Sequence, residues 1–190
     1  MRRNGDFGIG TLEGLDGETM MVDGKMFHSM ADGTVAEVRK KDLIPFATVT
    51  HFQPRVTARL RGIGNPEELA AALDEALPKE DCFCAVRVDA TMDSVTVRNC
   101  PKQSKPYRLL AEVTKEQAVT ELHNIPGTLV GFRFPKYIQG LNMNGYHLHF
   151  IAKDRKSGGH MLNCKFREAT VQADASDKFR LFLIPNEGTR

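Results

Sequence analysis

The sequence predicts an α+β fold made mainly of antiparallel strands, and three observations carry that expectation. Asp-Gly pairs recur at Asp16-Gly17, Asp23-Gly24 and Asp32-Gly33, and Asp-Gly supplies the positive φ angles that tight hairpin turns need. Later runs alternate apolar and polar residues with the period of two that a half-buried strand requires. Helical periodicity is confined to one well-marked segment, so one or two packing helices are expected. At 190 residues the chain suits a single domain, or two lobes of about 1–110 and 111–190 sharing a core.

The elements follow in order. Met20-Met-Val22 and Lys25-Met-Phe27, set between the Asp-Gly pairs, read as a β-meander, and Phe46 to Phe52 is a further strand stopped by Pro54. Asn65 is an N-cap candidate, Pro66 suits the first helical position and Glu68 completes a capping box. Leu69, Leu73, Ala76 and Leu77 then share one face, and Pro78 closes a helix expected to lie on a sheet. Phe83 to Asp89 and Ser94 to Arg98 alternate strongly, which predicts two strands of a hairpin. Lys102 to Pro106 reads as a polar loop, Thr128 to Phe134 as a strand, and Pro135 to Gly140 as a turn. Tyr146 to Ala152 and His160 to Phe166 flank a polar, Gly-rich tip and predict a second hairpin. Thr170 to Ala173 and Phe179 to Ile184 are the closing strands.

Composition narrows the function. Apolar residues are 41%, charged residues 26%, and the net charge is +2, with no basic stripe, which argues against nucleic acid or a membrane as partner. No apolar run approaches the roughly 20 residues that span a bilayer, and Met1 to Asp6 lacks the apolar core of a signal peptide. A cytoplasmic protein acting on a small molecule is the expectation. Cys82, Cys84, Cys100 and Cys164 fit neither a disulfide framework nor paired zinc knuckles, so they are expected to be free thiols.

Three histidines fall close together. His147-Leu148-His149 on a strand puts both imidazoles on one face. A tip over Lys153 to Ser157 or Gly158 would set His160 opposite a residue near Ile151, which shares that face. Three neutral nitrogen donors on a two-stranded platform suit Zn²⁺ with a coordination position left open. Glu18 in an early turn, and Arg98, Arg87 and Arg133 on strands, read from spacing alone as solvated charges.

These residues also carry a resemblance. Gly5 to Glu18, Val22 to Lys25, Phe83 to Asp89, Lys105 to Tyr107, Glu112 to Lys115 and Gly127 to Phe132 resemble, in order, the blocks of the alpha-acetolactate decarboxylase family. The fullest similarity is Gly145-Tyr-His-Leu-His-Phe-Ile151 followed by Asp154-Arg-Lys-Ser-Gly-Gly-His160. The resemblance implies His147, His149 and His160 as zinc ligands, with Glu18 a carboxylate approaching the same Zn²⁺. It implies Arg98 as a substrate-contacting and catalytic residue, and Thr11 on the pocket wall. The implied activity is a carbon–carbon lyase reaction converting 2-acetolactate to acetoin and CO₂, and the family pattern suggests a homodimer. Measured against that pattern, N- and C-terminal extensions are absent, and Glu187 is a secondary candidate for a C-terminal catalytic glutamate. Two alternatives accompany this reading: another metal-dependent enzyme of hydrolase type, or a non-catalytic metal-binding homologue.

Overall fold

Tight turns set up the first sheet. The structure, a computed structural model, describes residues 4–78 and 81–183. Strands β1 (Phe7–Leu12), β2 (Asp16–Val22), β3 (Lys25–Ser29), β4 (Val35–Glu37) and β5 (Phe46–Thr50) form an antiparallel meander in the order β4-β3-β2-β1-β5. Asp23 and Gly24 both take positive φ, 53° and 72°, and turn β2 into β3 as a primed hairpin turn requires. The turn from β1 to β2 uses Gly14 and Leu15 instead, at φ 80° and 52°, so Asp16-Gly17 opens the strand after the turn. The pairing of β1 with β2 slips between Gly10 and Leu12, a bulge beside Thr11.

The second sheet holds β6 (Val56–Ile63), β7 (Phe83–Asn99), β8 (Ala118–Phe134), β9 (Gly145–Ala152) and β10 (Gly158–Ser176), in the order β6-β10-β7-β8-β9. The first residues of β10 also pair with β9. Strands β10, β7, β8 and β9 therefore close into a ring, with β6 attached at one side.

The helix α1 (Pro66–Ala76) begins as its capping box dictates. The Asn65 side chain accepts the Glu68 amide N–H at 2.8 Å, and the Glu68 carboxylate accepts from the Asn65 side chain at 2.9 Å. Leu69 and Leu73 are buried, and with Leu77 they join a core containing Val86, Val88, Leu148 and Phe150. A second core lies between the sheets, where Phe7, Ile9, Met20 and Val22 meet Val130, Phe132 and Ile151. Alternate residues of β9 thus serve different cores, with Ile151 facing the first sheet and Leu148 and Phe150 facing the other way. A short helix, α2 (Leu110–Val113), precedes β8. Among the described residues no helix is long and apolar enough to cross a membrane.

Three expectations change. The hairpin expected over Phe83 to Arg98 is one continuous strand, because Ala90 to Asp93 holds no Gly or Pro and β8 pairs with it from Cys84 to Asn99. Core-facing positions switch midway from Val86, Val88 and Met92 to Val95 and Val97, and opposite this point Asn124 takes a positive φ of 49°. A local kink explains a pattern that resembles two strands. Thr170 to Ala173 lies inside β10, and residues 179–183 are not a strand; Ile184 and Glu187 lie outside the described residues. All four cysteines are free, as expected.

Gly131 shows how closely the strands bearing the histidines approach. A Cβ there would lie 2.0 Å from the His147 carbonyl oxygen, and a backbone atom of a paired strand yields little. Gly131→Ala is expected to destabilise the chain by about 1–3 kcal/mol, read as a lowered urea midpoint, and to loosen β9 where it presents His147.

Candidate metal centre

The hairpin of β9 and β10 delivers all three imidazoles. Its tip is shorter than the sequence suggested, because the Ala152 N–H donates to the Ser157 carbonyl at 2.9 Å and Arg155 takes φ 62° within a four-residue loop. His160 therefore pairs with His149, and Ile151 pairs with Gly158. This corrects the expected pairing of His160 near Ile151 by two residues, which preserves the shared face because strand parity is two. On the other flank His160 pairs with Arg98. His149, His160 and Arg98 thus form one row across three strands, with His147 one step away.

The rings are close. Their centroids are 4.9 to 5.3 Å apart, and one donor atom from each lies within 4.8 Å of the others. His149 is fully buried, and its Nδ1 meets the backbone carbonyl of Thr19 in β2 at 3.1 Å. That carbonyl can only accept, so Nδ1 carries the hydrogen and Nε2 presents a lone pair. His147 Nε2 lies 3.2 Å from it, while His147 Nδ1 is buried without a partner. With the hydrogen of His149 on Nδ1, the two facing Nε2 atoms can both present lone pairs to a cation between them, His147 then carrying its hydrogen on Nδ1. Two nitrogens bound to one zinc-sized ion at tetrahedral geometry lie about 3.3 Å apart, which matches the observed spacing. The residues fit a metal.

The first sheet contributes the carboxylate. Glu18 stands on the face of β2 that carries Met20 and Val22, and its Oε2 lies 3.5 Å from His149 Nε2. Its Oε1 is 3.8 Å from the Arg98 guanidinium. The turn that presents it is pinned twice: the Thr11 hydroxyl donates to the Gly17 carbonyl at 2.8 Å, and the Gly17 N–H donates to the Cys100 carbonyl at 3.0 Å. Thr11 is buried and holds the approach to Glu18. Arg98 also donates weakly to the Cys100 sulfur at 3.6 Å. A cleft of about 970 Å³ between α1 and the ends of β8 and β9 is lined by Leu148, Tyr146 and Arg133 and, of the cluster, by His160 alone.

Burial sets the electrostatics. It pushes Glu18 up to about 8, against the downward pull of Arg98. It pushes His147 down to about 4 and His160 down to about 3, and Arg98 adds to both shifts. His149 lies well below its ordinary value for the same reason, with the neighbouring imidazoles adding to burial. The three imidazoles are therefore neutral donors at pH 7, and Glu18 without an ion is a neutral acid.

Sequence spacing found the histidines, and the resemblance supplied Glu18, Arg98 and Thr11. The structure brings Glu18 and Arg98 to the cluster and sets Thr11 behind Glu18. Arg87 and Arg133 stand elsewhere. Arg87 pairs with Asp23 and Asp89, and Arg133 with Asp74. The Thr19 carbonyl and Cys100 left no signal, since their roles depend on backbone contacts between distant strands.

Two packed antiparallel sheets, with three neutral imidazoles, one carboxylate and a guanidinium converging between them, have the build of an enzyme whose site could hold a metal. Comparison with known proteins makes the class specific. The sequence profile of the alpha-acetolactate decarboxylase family matches residues 1–188, and the chain belongs to that family. It is 43% identical over 188 residues to the alpha-acetolactate decarboxylase of Methanosarcina mazei, covering 99% of this chain and 65% of that protein. The Methylococcus capsulatus relative is 42% identical over 181 residues, covering 95% and 70%. The fold superposes on the crystal structure of alpha-acetolactate decarboxylase from Bacillus subtilis strain 168 with a TM-score of 0.94 at 35% identity, covering 97% of this chain and 79% of that one. The chain thus spans about two thirds of the length of the curated relatives it matches.

The electrostatics predict what a metal would displace. At pH 7 the histidines hold no proton to release, whereas Glu18 must lose one to act as an anionic ligand. Zinc titration by calorimetry in buffers of different ionisation enthalpy is expected to show about one proton released per ion, and Glu18→Gln should abolish that release. The lowered histidine values also stabilise the metal-free fold above pH 6.5, and this contribution is lost as pH falls towards 4 and then 3. Acid titration of the apoprotein followed by circular dichroism checks it, and His160→Gln should flatten the transition.

Proposed function

We propose that the chain is a zinc-dependent decarboxylase converting 2-acetolactate to acetoin and CO₂. The observation that carries this reading is the convergence of His147, His149 and His160 on Glu18 and Arg98 in a chain of this family. The four groups His147, His149, His160 and Glu18 would hold the ion. Bound there, zinc supplies Lewis-acid stabilisation of negative charge developing on oxygen.

The chain's own residues do the remaining work. Arg98 is half-buried at the edge of the cluster, and its planar fork of N–H donors suits the substrate carboxylate. Loss of CO₂ leaves an enediolate, and the same guanidinium holds its charge in a site shielded from water. A proton must then reach one carbon face, which sets the handedness of acetoin. Glu18, within 3.8 Å of Arg98 and 3.5 Å of His149 and an anion once the ion is bound, takes a proton from solvent and relays it to that carbon. Thr11 keeps the Glu18 turn in position and borders the substrate space. Family kinship supports a homodimer as the assembly.

Acetoin formation from racemic acetolactate, with and without a chelator, tests the reading. Turnover is expected to vanish on chelation and return with zinc; chelator-insensitive turnover overturns the zinc assignment, and no turnover by the zinc-loaded chain overturns the activity. Arg98→Lys keeps the charge but loses the two-pronged donor, so kcat/KM should fall by about 10²-fold or more while zinc content is retained. His149→Ala should lose most of the zinc by elemental analysis. Glu18→Gln should abolish turnover, and Glu187→Gln should leave it largely intact.

A further inference from the structure

We propose that Ser29 and Asn99 are positioning residues for the metal cradle, together holding the Gly158 carbonyl and so fixing where His160 enters the cluster. The Ser29 hydroxyl donates to that carbonyl at 2.7 Å, and the Asn99 side-chain N–H donates to it at 3.0 Å. Both residues are buried, Ser29 wholly.

The position of each residue in its strand gives the bonds their meaning. Ser29 is the direct cross-strand partner of Glu18. Asn99 follows Arg98 in β7. Gly158 lies two residues before His160 and opposite Ile151, itself two residues beyond His149. One carbonyl therefore joins the strand pair that carries Glu18, the end of the strand that carries Arg98, and the hairpin that carries the histidines. These three units come from two sheets and distant parts of the sequence. Here a side-chain contact ties them at one atom.

Gly158 cannot be held by packing of its own. A Cβ there would lie 2.7 Å from the Phe150 carbonyl oxygen and 2.8 Å from the Met20 methyl carbon, so its place in the site depends on its backbone. Asn99 points the same way. Its Oδ1 is buried without a partner, a cost that an apolar side chain of similar shape would avoid. The residue is therefore better explained by what its N–H holds than by filling space. Ser29 and Asn99 act on the backbone that carries His160 rather than on its ring, and fixing that backbone fixes the ring's entry as a direct partner would.

The proposal rests on the metal reading above, and its test separates the two. Zinc affinity is measured by competition with a chromogenic chelator, and ligand geometry by the visible absorption of the cobalt-substituted chain. Ser29→Ala and Asn99→Leu are each expected to weaken zinc binding by about 10- to 100-fold and to alter the cobalt spectrum. Asn99→Leu should do so with little loss in thermal midpoint, since it removes an unpaired oxygen. Ser29→Ala, the smaller change, reports the same loss even where Asn99→Leu does not fold. Val88→Ala, in the core beside α1, is the control for stability alone and should bind zinc normally. Variants that bind zinc within about twofold of the unaltered chain, or a Val88→Ala control that loses affinity equally, overturn the positioning role. An unaltered chain that binds neither zinc nor cobalt overturns the metal reading itself, and this proposal with it.

Discussion

A neutral imidazole sealed between two sheets has one nitrogen to give, and the hydrogen bond from His149 to the Thr19 carbonyl decides which one. The bond crosses the interface between the sheets. It turns the Nε2 lone pair towards His147 and Glu18, and it ties the alignment of β9 to that of β2. Because the ring is wholly buried, no water can substitute for either partner. The distances among the imidazoles, the carboxylate and the guanidinium all follow from how the first sheet lies on the second at this point.

The same burial makes the charges workable. An arginine beside three imidazoles would ordinarily repel a cation, and Arg98 does lower the histidine values. Burial is the main cause of that lowering, with Arg98 adding to it, and together they keep the rings unprotonated, which is the state a metal needs. Glu18 is caught between opposing influences, burial favouring the acid and Arg98 the anion. A carboxyl group so balanced near neutrality can serve as ligand or proton carrier with a small change in its surroundings. Arg98 stays close enough to act on bound anionic groups and far enough from Glu18, at 3.8 Å, to avoid a tight ion pair that would lock both.

Part of this arrangement was legible in the sequence. Alternation along a strand is local, so the shared face of His147 and His149 could be read directly, and parity carried His160 to the same face even though the hairpin tip was misjudged by two residues. The tip length was not legible, because hydrogen bonds at Ala152 and Arg155 set it rather than composition. The capped helix at Asn65 was also local and came out as expected. The long strand over residues 83–99 was hidden by a kink that reverses which residues face the core. Glu18 and Arg98 look like surface charges within their own segments, and only kinship with other sequences marked them. Ser29, Asn99 and the Thr19 carbonyl act across the sheet interface, and neighbours in sequence say nothing of such contacts.

The ring of β10, β7, β8 and β9 has a consequence for how the protein is made. Strand β10 pairs with β6, β7 and β9, so partners as far upstream as Val56, which pairs with Ala173, wait for a strand that begins only at Gly158. Closing such distant pairings is slow, and until then β9 and the near edge of β7 are open to the wrong neighbours. His160 arrives with that strand, so the three imidazoles come together only as the ring closes. A cation held by all three rings would therefore favour the closed ring without guiding the early steps that lead to it.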